Sequence, residues 1–357
     1  MGLDVTGRYR YPPPAAEWLA RRVEDVIEPD LPIVDAHHHL WVENGSPYLL
    51  DELIADVSSG HAIAATVFVQ AHYGYDNAAL AHLAPVGETR HVAAIAAEAG
   101  RRGSPTKVAA GIVGFVDLTL GDLVDEVLDA HESAAEGAFR GVRHSVSNDP
   151  AFPDGIVIRP APARLLGDAR YRAGLGRVAA RGLTYDAMLY QVQIPELTAM
   201  ARALPELTIV LDHVGCILGV GPYEGRTEDT YLTWLRDMVE LAGCPNVMVK
   251  LGGLGMIVTG ARWHERPEPP SSVELADAWR PIIESCIDVF GADRCLFESN
   301  FPVDKAMYSY RTLWNAFKRL CSGASSSEKA ALFAGSATHA YRLKNIAATS
   351  VPELAVD

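Results

Sequence analysis

Eight short apolar runs, most of them separated by segments of helical pattern, constrain this chain more than any other feature. They cover residues 31–34, 63–69, 108–116, 139–144, 183–188, 207–211, 247–251 and 295–297. Helical pattern covers residues 77–83, 92–99, 123–131, 170–181, 195–204, 230–242, 273–290, 309–320 and 327–333. Alternation of this kind predicts a parallel sheet, and eight units predict that the sheet closes into a (β/α)8 TIM barrel. An open doubly wound sheet is the alternative. No glycine-rich phosphate fingerprint follows the first run, where a dinucleotide fold would place it. The expected organisation is an N-terminal arm over 1–30 with a helix at 15–27, a barrel over 31–345 and a tail over 346–357.

The chain has 357 residues with a formal net charge of -14, from 31 basic and 45 acidic side chains. A field of that sign argues against nucleic acid and anionic membrane surfaces as partners. Residues 1–30 carry Asp4, Arg8 and Arg10 but no apolar signal stretch, and no apolar run has membrane length. Cys216, Cys244, Cys286, Cys295 and Cys321 show no short paired spacing, which fits free thiols and a reducing, cytoplasmic setting. Monomer and homodimer both stay open, and contact with a neighbouring subunit is one role for the arm.

Barrel chemistry collects at the C-terminal ends of the strands. The first run ends in Asp35-Ala36-His37-His38-His39. Side chains alternate along a strand, so His37 and His39 share a face and His38 takes the other. Two imidazoles on one face can share a metal ion, a proton or an oxyanion. Other strand ends deliver Gln70 and His72, Arg143 and His144, Asp212 and His213, Lys250, and Glu298 and Asn300; Tyr190 and Gln193 follow the fifth. Arg143 and His144 face opposite ways on a regular strand, and His144 is favoured slightly. Asp35 either orients a histidine from below or is a buried acceptor. Gly252-Gly253-Leu254-Gly255 reads as a turn that lets backbone approach the barrel mouth. His61, His82, His91 and His131 read as packing or surface residues. Trp263 is a candidate pocket wall, and loops 144–165 and 214–228 shape the mouth, with 151–162 as a cover.

The segment Asp35-Ala36-His37-His38-His39-Leu40-Trp41 resembles the start of the amidohydrolase-related lactonases, which include pyrone-dicarboxylate and sugar-acid lactonases. The resemblance continues through Gly141-Val142-Arg143-His144, Leu211-Asp212-His213-Val214-Gly215 and Val249-Lys250-Leu251 to residues 297–303. It implies a distorted (β/α)8 barrel of the metal-dependent hydrolase superfamily and hydrolysis of a lactone or related ester. It places the family's histidines on His37, His39 and His213. Where the family has Gly-Ser-Asp-Trp-Pro, this chain has Glu298-Ser299-Asn300-Phe301-Pro302. Asparagine is neither a base nor an anionic ligand, so either the reaction differs or another acid, Glu298 or Asp304, takes the role; Glu298 is favoured as the base, and Asn300 orients water or carbonyl. His72, Arg143, His144, Tyr190, Gln193 and Lys250 are the expected substrate contacts, with Arg143 or Lys250 on a substrate carboxylate. Zinc or another divalent ion on His37, His39 and His213, and metal-free catalysis, both stay open. A non-oxidative decarboxylase and a catalytically inactive ligand-binding barrel are the alternatives.

Overall fold

The computed structural model describes residues 12–43, 45–152 and 161–346. Eight strands, Ile33–His38, Ile63–Val69, Lys107–Gly114, Phe139–Val142, Thr184–Ala187, Ile209–Leu211, Val247–Leu251 and Cys295–Phe297, lie side by side in chain order. Every neighbouring pair is parallel. The last strand meets the first just beyond its own end. Asn300 donates its N–H to the His37 carbonyl (2.9 Å), and His39 donates to the Phe301 carbonyl (2.8 Å). A parallel bridge between His38 and Phe301 completes this seam. The barrel is therefore closed where the histidines leave the first strand.

Asp35 holds the seam. One of its oxygens accepts from the backbone N–H groups of Ser299 (2.8 Å) and His37 (3.2 Å). The other accepts from the Tyr310 hydroxyl at 2.9 Å. It is thus a buried structural acceptor that ties the two ends of the sheet to the helix Tyr310–Leu320, and among the described residues its hydrogen bonds go to Ser299, His37 N–H and Tyr310 rather than to an imidazole ring.

Several local expectations change. Residues 77–83 are turns, not a helix. The Asp76 carboxylate accepts from Ala78 N–H at 3.0 Å, an Asx turn that competes with helix; the helix begins at Val86, just after Pro85. Trp41–Glu43 and Ser46–Tyr48 form an antiparallel hairpin, and Leu50–Val57 is a helix; each strand is too short to show alternation in sequence. The arm's helix spans only Ala16–Leu19. The arm directs polar groups to its own barrel: Trp18 Nε1, within the helix, donates to the Arg266 carbonyl (2.8 Å), and Ile27 N–H, beyond it, to Asn315 Oδ1 (2.9 Å). The expected helix at 327–333 is broken by a π turn, Ala331–Gly335, before Ser336–Ala340. All five cysteines are buried free thiols, and among the described residues no helix is long and apolar enough to cross a membrane. The arm's first residues, most of the expected cover at 151–162 and nearly all of the tail lie outside the described residues.

Replacing Asp35 by Ala leaves buried donors unmet and is expected to cost roughly 3 kcal/mol in urea unfolding, while Tyr310→Phe costs about 1 kcal/mol. Equal effects would contradict the placement of Asp35 as the common acceptor.

Candidate active site

Alternation along the first strand places the three histidines as the sequence requires. His37 and His39 face one another with their Nε2 atoms 3.2 Å apart. His38 points away, its Nε2 2.9 Å from Thr66 Oγ1. The Val69 carbonyl, 2.8 Å from His39 Nδ1, can only accept. His39 therefore carries its proton on Nδ1 and keeps a lone pair on Nε2. Its ring stacks on Trp41, with centroids 5.1 Å apart and planes 15° from parallel.

The sixth strand ends in a strained turn. His213, Val214 and Cys216 adopt left-handed backbone, with φ of 56°, 51° and 44°, a conformation that costs non-glycine residues energy. Glu298 offsets that strain: one carboxylate oxygen accepts from both His213 Nδ1 (2.7 Å) and the His213 backbone N–H (3.2 Å). Its other oxygen lies 2.9 Å from His37 Nδ1. Glycine makes room for this pair. A Cβ on Gly252 would meet Glu298 Cγ at 2.4 Å, and one on Gly253, at φ +64°, would meet the His213 ring at 2.5 Å. This is the backbone approach expected of the glycine run.

Beneath the rings lies a layer of buried charge. The Lys250 ammonium sits 2.6 Å from Asp186, 2.9 Å from Asp212 and 3.1 Å from His37 Nδ1. Tyr341 donates to Asp186 at 2.7 Å. Arg143 reaches in from the fourth strand. One terminal nitrogen is 3.5 Å from Asp212 and 3.3 Å from His37 Nε2, and the other donates to the Gln70 carbonyl. Burial opposes charge on every ring here. For His39 it wins, with help from His37 and Arg143, and the pKa falls well below the ordinary value. For His37 it also wins, reinforced by Lys250. For His213 the Glu298 carboxylate overcomes burial and raises the pKa. Burial likewise opposes the Glu298 charge, but His213 and His37 pull that carboxyl down to about 2. The surroundings thus favour neutral rings at His37 and His39 and hold the proton of His213 more strongly.

A cavity of about 430 Å³ opens above this layer. Of the expected residues, His39, His72, Arg143, Tyr190, His213 and Asn300 line it. His37, Glu298 and Lys250 lie below its floor, fully buried, so Lys250 is not placed to hold a substrate carboxylate. His144 does not line the cavity: it accepts from Leu118 N–H (3.2 Å) and packs between Phe115 and Tyr171. The strand ends at Val142 and Arg143 turns inward, reversing the preference for His144. Gln193 braces a loop, donating to the Val146 carbonyl (2.7 Å) and accepting from Asn148 N–H (2.9 Å). Asn300 donates to Asp304 at 3.0 Å. Trp263 walls a separate cleft of about 850 Å³. Sequence reasoning brought Asp212 to the mouth without giving it a role, and did not select Asp186 or Tyr341. Asp212 stands beside His213 in an obvious strand end; Asp186 interrupts an apolar strand, a signal that was available.

His37, Asp212 and His213 offer ligand atoms within 4.8 Å of one another. The surrounding charges do not fit a resident divalent ion. Asp186, Asp212 and Glu298 are met by Lys250, Arg143 and the His213 imidazolium, so no net negative charge is left over. The neutral Asn300 supplies no anionic ligand, and the Arg143 guanidinium stands 3.3 Å from His37 Nε2.

Comparison with known proteins agrees with the barrel. The chain is 33% identical over 337 residues to the uncharacterized protein y4mH of Sinorhizobium fredii, covering 88% of this chain and 99% of that one. It is 28% identical over 323 residues to an L-fucono-1,5-lactonase of Burkholderia ambifaria, covering 87% and 95%. Its fold is similar to that of an amidohydrolase from Burkholderia multivorans crystallised with bound zinc, with a TM-score of 0.67 at 24% identity and coverage of 87% and 99%. The sequence pattern of the amidohydrolase family matches residues 34–343, and the chain belongs to that family.

Proposed function

We propose that the protein hydrolyses a small lactone of the sugar-acid type without a metal ion. The observation that carries this reading is the pairing of a neutral His39, lone pair on Nε2, with an imidazolium His213 clamped on Glu298, both lining one cavity. The similarity to an L-fucono-1,5-lactonase supports the substrate class. Gln70, Ser145, Ser147 and Tyr190 offer polar groups for ring hydroxyls, and Met188, Met256 and Ile257 offer an apolar wall.

In this reading His39 Nε2 takes a proton from water as the water oxygen attacks the lactone carbonyl. Negative charge develops on the carbonyl oxygen, facing His213 and Arg143, the electrostatic stabilisation such an intermediate needs. Among the described residues Arg143 Nε–H has no hydrogen-bond partner, which leaves it free to donate to the substrate. As the ring C–O bond breaks, His213 Nε2 gives its proton to the departing alkoxide. His39 then releases its proton to solvent, and His213 takes one up. Glu298 acts through His213 and is a positioning residue, in place of the base expected from sequence. Asn300 fits here because an aspartate at the same place would confront the Asp304 carboxylate now 3.0 Å from the Asn300 amide.

Acid release from a panel of aldonolactones and aromatic-acid lactones tests the reading. His39→Ala and His213→Ala are each expected to lower kcat about 10²- to 10⁴-fold with unchanged circular dichroism. Undiminished turnover in either, or carbon dioxide release without ring opening, would overturn it. The pH profile gives a second test. Glu298 raises the His213 pKa and burial lowers it, so Glu298→Gln removes the raising cause. The alkaline limb of kcat/KM, where His213 loses its proton, is expected to move to lower pH; an unmoved limb would remove His213 as the acid.

A further inference from the structure

Lys250 is fully buried and has no access to substrate, yet it touches three members of the site. An ammonium only donates hydrogen bonds, whereas an imidazole nitrogen donates or accepts according to its proton. His37 Nδ1 lies 3.1 Å from Lys250 Nζ and 2.9 Å from a Glu298 carboxylate oxygen, and its Nε2 lies 3.3 Å from the Arg143 guanidinium and 3.2 Å from His39 Nε2. A metal bound at His37 Nδ1 would stand against the ammonium. A metal bound at His37 Nε2 would stand against the Arg143 guanidinium. Each nitrogen of His37 thus already faces a fixed cation, and the Lys250 ammonium fills the place between His37 Nδ1, Asp186 and Asp212.

We propose that Lys250 is the resident cation of this site, doing for His37 and Asp212 what a divalent ion would otherwise do, and that removing its charge converts the cluster into a zinc site. The inference rests on the histidine cluster being the working site, but it does not depend on which reaction occurs there. Without Lys250, Asp212 loses its nearest cation and His37 Nδ1 its ammonium neighbour. Ligand atoms of His37, Asp212 and His213 lie within 4.8 Å of one another, and Asp186 stands beside the vacated place.

The test counts zinc rather than turnover. Chelator-stripped wild type, Lys250→Ala, Lys250→Met and Lys250→Arg are incubated with zinc and desalted. Zinc is measured by mass spectrometry and Tm with and without the metal. Wild type and Lys250→Arg are expected to retain no stoichiometric zinc and show no Tm response. Lys250→Ala and Lys250→Met, which leave one carboxylate uncompensated, are expected to retain about one zinc per chain and to gain Tm on its addition. If Lys250→Ala fails to fold, Lys250→Met, which keeps most of the side-chain volume, decides. Two results would overturn the proposal: wild type retaining one zinc that His37→Ala abolishes, or folded charge-removed variants that stay zinc-free. The wild-type arm decides even if neither variant folds. Because no lactone enters the assay, failure of the hydrolase reading leaves this outcome unaffected.

Discussion

The contact between Glu298 and His213 organises the mouth of this barrel. A single carboxylate oxygen holds both the ring and the backbone of a histidine in left-handed conformation. The position of His213 is thus set by the eighth strand as much as by the sixth. The same contact decides its charge. Burial alone would leave all three imidazoles neutral; an adjacent carboxylate makes one of them a cation. The glycines at 252 and 253 exist at this place because any Cβ would push the pair apart.

A layer of matched charge beneath the rings gives the site its second property. Asp186, Asp212 and Glu298 are each beside a fixed or induced cation, and Tyr341 reaches in from beyond the last helix to satisfy Asp186. Buried pairs of this kind contribute little net stability, because desolvation offsets their attraction. Their effect is to fix where protons reside. Lys250 braces His37, Asp186 and Asp212 from below, and Asp35 closes the seam on which the imidazoles are mounted. Chemistry is left to the cavity-facing atoms of His39, His213 and Arg143.

The strands were readable because each is a compact apolar run: Ile63–Val69, Val247–Leu251 and Cys295–Phe297 match the sequence reading to the residue. His37, His39 and His213 were readable because strand alternation and strand-end position both point to the mouth. Depth was not readable. Lys250 and Glu298 lie at strand ends, yet their side chains stop under the floor. Arg143 and His144 differ by one residue, and only the point at which the chain leaves the sheet decides which turns inward. Gln193 has the chemistry of a substrate contact but serves a loop, a choice set by backbone groups distant in sequence. Asp186 depends on Tyr341, 155 residues away, a partnership no local pattern announces. The hairpin Trp41–Glu43 with Ser46–Tyr48 was invisible for a different reason, its brevity.

The central claim is a division of protons: His213 charged, His37 and His39 neutral. Nitrogen-15 NMR of histidine-labelled protein at neutral pH, assigned with single histidine variants, tests it directly. The account predicts that His213 carries protons on both ring nitrogens, that His39 carries one on Nδ1, and that His37 carries a single ring proton. A neutral His213, or a protonated Nε2 on His39, would contradict it.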